Sequence, residues 1–209
     1  MQFTAQQFEK ILFSDEKWFV LNQCPNRKND IYWSPVNPNY VVPCKKAHGA
    51  KIMAWVGVVD GRVLPVHWFT GSVNAAAYLE MLQTVVWPAV RGSASKKQYW
   101  FQQDGASVHC TADVIDFLKS KLGTRIISHK TEHHWPHYSP DLNPLDFSFW
   151  SQTMVLQELK DVVEDFASNI DPAKVRSMVR HARYRAELCV AEGGGHIEHL
   201  VKKSGSRDS

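Results

Sequence analysis

The sequence predicts an α/β domain built on a mixed β-sheet, and three observations predict it. The stretch "KILFSDEKWFVL" (10–21) has the alternation and the aromatic and β-branched content of a strand. In "AKIMAWVGVVDGRVLPVHWFTG" (50–71) two apolar runs flank Asp60-Gly61, a strong short-range hairpin signal, so the sheet starts antiparallel. "SKKQYWFQQD" (95–104), a helical segment and "TRIISH" (124–129) then follow one another as strand, helix, strand, an order that implies a parallel crossover.

The helices follow from caps and spacing. Asn74 is placed to cap "AAAYLEMLQTVVWPAV", where Tyr78, Leu82 and Val85 or Val86 keep helical spacing. Thr111 is placed to cap "ADVIDFLKSKL", whose Val114, Leu118 and Leu122 share a face, and Gly123 is the stop. Past residue 150 the pattern is helical in "MVLQELKDVVEDFA" and "PAKVRSMVRHARYRAELCV", then frays in "AEGGGHIEHLVKKSGSRDS". The folded unit is expected over 1–200, with 201–209 a disordered tail.

Composition narrows the class. A chain of 209 residues is long enough to bury about 70% of its unfolded surface. With 44% apolar residues, eight Trp and ten Phe, general disorder is excluded. No apolar run approaches the roughly 18 residues of a membrane span, so no membrane partner is expected. The polar "QFTAQQFEK" after Met1 has neither the basic start nor the apolar stretch of a secretory signal. Cys24, Cys44, Cys110 and Cys189 are far apart and form no CxxC pair, which suits reduced thiols in an intracellular protein. The net charge of +3 is no more than solubility requires, so its distribution matters more than its size.

Three aspartates are the candidate chemistry. Asp15 lies mid-strand on the face of Phe13 and Lys17, with Ser14, Glu16 and Trp18 opposite; a carboxylate there needs a partner or a metal, and alone it would as readily serve a structural salt bridge. Asp104 ends a strand ahead of Gly105, at the carboxyl edge where open α/β sheets bind ligands, although an ordinary turn aspartate would look the same. In "WPHYSPDLNPLDFSFW" (135–150), Asn143-Pro144 reads as a cap followed by Pro at the first helical position. Asp146 then falls in the first turn, where backbone N–H groups and the helix dipole favour an ionised carboxylate, while Asp141 falls in the turn before the cap and suits a structural role. Three carboxylates from separate elements suit magnesium, which keeps several waters and takes few protein ligands plus substrate phosphates. That chemistry is phosphoryl transfer.

At these residues the chain resembles the mariner-type DD(E/D) transposases of the Tc/mariner superfamily. The matching words are "FSDEKWF" (13–19), "QQDGASVH" (102–109), "SPDLNPLDFSFW" (139–150) and "GGHIEH" (194–199), in the family's order and over nearly the whole chain. The resemblance implies a ribonuclease H-like fold, a mixed five-stranded sheet flanked by helices, with Asp15, Asp104 and Asp146 as the catalytic and metal-binding acids. It implies two Mg2+ or Mn2+ ions, DNA partners at both element ends and target, and a nuclear location, with homodimerisation left open. Water would attack the phosphodiester at the element's ends and the freed 3′-hydroxyl would attack target DNA, by family habit at a TA dinucleotide. Forty-one residues separate Asp104 from Asp146, similar to an all-aspartate branch, with the extra length expected in "SHKTEHHWPHY" (128–138). Family members also carry two amino-terminal helix-turn-helix units, which are not found ahead of Asp15. The alternative is therefore a transposase-derived nucleic-acid-binding protein without transposition, or a ribonuclease H-like nuclease.

Other polar clusters have two readings each. Lys174, Arg176, Arg180, Arg183 and Arg185 in "KVRSMVRHARYR" either form a solvated helix face or contact phosphates; Lys45, Lys46 and Lys51 form a weaker set. His109, at a position typical of the family, either orients a phosphate or the Asp104 loop, or caps the next helix. His129, His133, His134 and His137 read as solvated loop histidines rather than a zinc site. Trp18, Trp55, Trp68, Trp100 and Trp150 read as core, and Trp135 is a candidate for stacking on a splayed base.

Overall fold

The computed structural model describes residues 3–20, 51–93, 98–136, 138–153, 159–195, 197–198 and 200–201. Lys45, Lys46, Cys24, Cys44, His137, His196, His199 and the expected tail from 202 onward lie outside the described residues.

The chain enters through a single capped turn, α1 (Ala5–Phe8), in which Thr4 and Gln7 satisfy each other's backbone N–H groups. The first strand, β1 (Ile11–Val20), runs antiparallel to β2 (Lys51–Val59), with Phe13 opposite Val58 and Phe19 opposite Ile52. Asp60 and Gly61, with φ of 55° and 74°, form the predicted left-handed turn into β3 (Arg62–Val63). Pro65 has no N–H to give to a ladder. The return arm therefore breaks there and resumes as β4 (His67–Phe69), shifted by one residue against β2. Six strands thus occupy five positions, because β3 and β4 share one side of β2.

Next come α2 (Ala75–Met81), a wide π-turn over Leu82–Val86, and α3 (Trp87–Arg91). Asn74 caps this run, accepting from Ala77 N at 2.9 Å. The π-turn falls directly ahead of Pro88, whose missing N–H would break a regular α-helix at that point. β5 (Trp100–Gln102) lies parallel to β1, and α4 (Ala112–Leu122) crosses over to β6 (Ile126–Ile127), parallel to β5. Thr111 precedes α4 as expected, but its hydroxyl turns back to Val108 O and makes no cap; Gly123, at φ 64°, ends the helix. The sheet order is β3/β4, β2, β1, β5, β6, which puts β1 in the centre.

Beyond Asn143 a second π-turn, Leu145–Phe149, runs into α5 (Trp150–Thr153), followed by α6 (Leu159–Asn169) and α7 (Pro172–Ala191). Both faces of the sheet are covered. On one face Leu12, Trp55, Phe101 and Ile126 pack against Tyr78, Leu82, Val114 and Leu118. On the other, Ile11, Phe13, Val56 and Val58 pack against Phe149, Trp150, Val175 and Val179. The mixed sheet flanked by helices on both faces is a ribonuclease H-like α/β fold. None of the described helices is long and apolar enough to cross a membrane.

Candidate active site at the edge of the sheet

Alternation in β1 does what the sequence predicts: Asp15 emerges beside the carboxy-terminal helices and Glu16 on the opposite face. Asp104 sits just past the end of β5, in the turn before a 3-10 segment, Ser107–Cys110. Asp146 sits in the π-turn. The three aspartates line one cleft of about 400 Å3, whose rim includes Gly105, Ala106 and Trp135. Asp141 is not part of its lining; its backbone carbonyl instead accepts a hydrogen bond from Arg185 Nε.

The helical turn bearing Asp146 starts where the sequence places it. Asn143 Oδ1 accepts from Leu145 N at 3.1 Å, and Pro144 follows in helical conformation. Its first turn is nevertheless wider than an α-helix, with Trp150 N reaching back to Leu145 O. Insertions of this kind occur often at functional sites, because one extra residue re-aims the side chains on either side of it. Here Asp146 faces the cleft while Trp150 Nε1 donates to Asp15 Oδ2 at 2.6 Å.

The acids are electrostatically unequal. Burial, then the charges of Asp146 and Glu16, raise Asp15 to about 8 against the opposing hydrogen bonds from Trp150 and the backbone. Burial likewise raises Asp146 to about 6; Asp104 and Glu16 add to this, while Lys17 and a hydrogen bond with Asp15 oppose it. Asp15 and Asp146 therefore titrate as an interacting pair, both above the ordinary carboxylate value. Asp104 differs. Burial raises it too, but its bond with His109, the Ala106 N–H and the imidazolium charge outweigh that and hold it below its ordinary value.

His109 is the reason. It is buried, with Nδ1 2.7 Å from Asp104 Oδ1 and Nε2 3.4 Å from Glu16 Oε1, the latter an ion-pair contact too long for a good hydrogen bond. Burial lowers its proton affinity, yet the two carboxylates outweigh that and lift it to about 10. Its ring lies 4.2 Å from that of Tyr78, whose hydroxyl donates to Gln103 Oε1. Of its candidate roles, the geometry matches orientation of the Asp104 loop.

Among the described residues no three His, Cys, Asp or Glu side chains stand as a preassembled metal cluster. The donor set nevertheless fits a hard divalent cation. Two crowded carboxylates of raised proton affinity and a third in the same cleft are hard oxygen donors whose repulsion such an ion relieves. Asp104 Oδ1 is engaged by His109 and Ala106 N.

The basic helix divides. Arg180 is exposed, Lys174 Nζ sits 5.7 Å over the Phe166 ring, Arg183 pairs with Glu187 at 2.8 Å, and Arg176 lies across Gly61. Arg185 is 4% exposed and turned inward. It donates to Asp141 O and to Glu198, and stacks 4.8 Å from the Phe147 ring, so its charge holds the loop before Asp146 and is withdrawn from the surface. In the histidine loop, His134 Nδ1 bonds to His129 O and the His133 ring packs 5.0 Å from Trp100. Trp135 lines the cleft and packs edge-on against Phe13 at 6.5 Å.

Sequence reasoning did not identify Trp150, Glu16 or Lys17 as part of the site. A tryptophan in an aromatic run reads as core, and Trp150 is core, 2% exposed, with a polar handle aimed at Asp15.

No family model matches the chain. The Tc3 transposase of Caenorhabditis elegans is 24% identical over 204 residues, covering 92% of this chain and 59% of its own length. The Tcb1 transposase of Caenorhabditis briggsae is 26% identical over 109 residues, 52% of this chain and 37% of that one. Among solved structures, the Mos1 mariner paired-end complex with Mn superposes with a TM-score of 0.71 at 21% identity, over 90% of this chain and 57% of that chain. The Mos1 catalytic domain with raltegravir and Mg gives 0.65 at 22% identity, over 91% of this chain and 87% of that one. The chain has the fold of the Mos1 transposase catalytic domain. It spans 59% of the length of the Tc3 transposase.

Proposed function

We propose that this chain is the catalytic domain of a mariner-type, divalent-cation-dependent DNA transposase, cutting DNA phosphodiesters and joining the freed 3′-hydroxyl to target DNA. One observation carries the reading: three aspartates from three separate segments line one cleft on a fold shared with the Mos1 catalytic domain. An aspartate as the third acid, separated from the second by forty-one residues, supports a reading within an all-aspartate branch. Transposon ends and target DNA are the proposed partners, and a nuclear location and a dimer holding paired ends follow from the same reading. The similarity to Mos1 paired-end complexes supports both partner and pairing.

Asp15, Asp146 and Asp104 would hold the cations, two Mg2+ or Mn2+. Bound there, such ions would supply an activated attacking oxygen and a neutralised leaving oxygen. The chain's own residues prepare that chemistry. His109, as an imidazolium, keeps Asp104 ionised and fixed. Trp150 fixes the Asp15 carboxylate by its Oδ2. Lys17 places a positive charge near Asp146. Gly105 and Ala106 present little side chain at the cleft wall, which lets a phosphate backbone approach closely.

Incubating the chain with supercoiled plasmid and Mn2+ tests the reading. Nicking that disappears in Asp104→Ala is expected. Salt-sensitive binding without cleavage would instead make this a DNA-binding protein, and preferential cleavage of an RNA–DNA hybrid would make it a ribonuclease H-like nuclease.

A further inference from the structure

Three of the few fully buried polar side chains in the described fold are Ser14, Gln102 and Asn143, at 3%, 0% and 4% exposure. They form one connected chain. Ser14 Oγ donates to Gln102 O at 2.7 Å and Ser14 N donates to Gln102 Oε1 at 3.3 Å. Asn143 Nδ2 then donates to Ser14 O at 3.2 Å, across 129 residues of sequence. The last paired residues of β1 and β5 are Phe13 and Gln102, so these bonds take over where the backbone ladder stops.

The position of each member relative to an aspartate gives the chain its meaning. Gln102 stands two residues before Asp104, Ser14 one before Asp15, and Asn143 three before Asp146. Asn143 also caps the turn bearing Asp146 through Leu145 N, and its own carbonyl accepts from Phe147 N at 3.2 Å. A small residue-to-residue slip between β1, β5 and this turn would change the spacing of all three carboxylates at once. We propose that the Gln102–Ser14–Asn143 hydrogen-bond chain is a positioning device that holds the three acids in register for cation binding. The inference rests on the cation-binding reading of the cleft.

Stability alone does not account for these residues. Gln102 Nε2 is buried with no hydrogen-bond partner among the described residues, a standing cost to the fold that an apolar side chain would avoid. What the amide provides is geometry: its Oε1 and the neighbouring carbonyl fix Ser14 at two points. Groups hydrogen-bonded directly to cation ligands are worth one to two orders of magnitude in metal affinity, and this hydrogen-bond chain, acting one step further back, is expected at the lower end of that range.

Mn2+ titration calorimetry on the full chain provides the test. Ser14→Ala and Asn143→Ser, the latter keeping a capping hydroxyl but too short to reach Ser14 O, are each expected to weaken Mn2+ binding about tenfold. Leu118→Ala destabilises from the opposite face of the sheet and is expected to leave the affinity within about twofold. Unchanged Mn2+ affinity in Ser14→Ala and Asn143→Ser would overturn the proposal. Failure of the unmodified chain to bind Mn2+ would overturn the cation reading, and hydrogen exchange on the cation-free protein separates the two failures. There Ser14→Ala, which loses the Oγ bond to Gln102 O, is expected to speed severalfold the exchange of the residue-14 amide that donates to Gln102 Oε1, and unchanged exchange would sink the positioning role on its own.

Discussion

Replacing Asp15 by Asn probes the electrostatics of the cleft most directly, because Asn retains an oxygen for Trp150 Nε1 while removing the charge. The Asp15 carboxyl is raised from 3.8 to about 8 in the folded chain, chiefly by burial and then by Asp146. A raised folded value means the native state holds the proton more tightly than the unfolded state. The resulting stability is fully present below pH 3.8 and is lost as pH rises through 8. Asp146, raised to about 6, has given up most of its share by pH 6. Between pH 6 and 8 the Asp15 contribution therefore falls by up to about 3 kcal/mol, at about 1.4 kcal/mol per unit. For a domain of this size that corresponds to about 5–10 °C in Tm. His109, raised to about 10, also loses stability as pH rises above 6.5, but it does so in both proteins and cancels in the comparison. Thermal melts of the two proteins at pH 6 and 8, with and without millimolar Mn2+, are the assay. The wild type is expected to lose more stability than Asp15→Asn over that interval, and Mn2+ to restore the difference by binding the native state alone. Equal pH slopes, or an equal Mn2+ shift in both, would refute a charge-crowded cation site.

Two further predictions concern the residues around the acids. Arg185→Ala leaves Asp141 O and Glu198 without their donor and should cost about 2–3 kcal/mol, with DNA affinity unchanged, whereas Arg180→Ala should leave Tm unchanged and lower the salt slope of DNA binding by about 1; melts and salt-dependent binding curves separate them, and a loss of DNA affinity in Arg185→Ala would return that residue to the interface. His109→Leu removes the partner that keeps Asp104 ionised and is expected to slow Mn2+-dependent plasmid nicking about 10–100-fold, an expectation that an undiminished rate would refute.

The elements legible in the sequence are those whose signals are local. Asp60-Gly61 specifies a left-handed turn through its own backbone, Asn74 caps by accepting from the N–H only three residues on, and the alternation in β1 puts Asp15 and Glu16 on opposite faces with no reference to the rest of the chain. The placement of Asp146 in the cleft lining and of Asp141 outside it belongs here too, since Asn143 and Pro144 define where the turn begins. The two π-turns were not legible, because periodicity over a few residues does not distinguish a wide turn from a regular one. The break at Pro65 had a local cause but a non-local outcome: the missing N–H is visible in the sequence, and the shifted pairing against β2 is not.

Charged residues mislead for the same reason. Arg185 belongs to the same basic run as Arg180, and nothing within that run distinguishes them. They part only in the fold, where Glu198, next to the fully buried Ile197, meets the Arg185 guanidinium. Asn143 is legible as a cap from its immediate neighbours, yet its second bond, to Ser14 O, joins parts of the chain 129 residues apart. A site assembled from three distant segments needs some interaction to set the distances between them, and the ladder between β1 and β5 stops at Phe13 and Gln102, short of Asp15 and Asp104. Buried side-chain amides and hydroxyls are the groups able to extend that register, because each offers directed donors or acceptors at a fixed reach. The residues that carry the charge can thus be named from sequence, while the residues that space them emerge only from the fold.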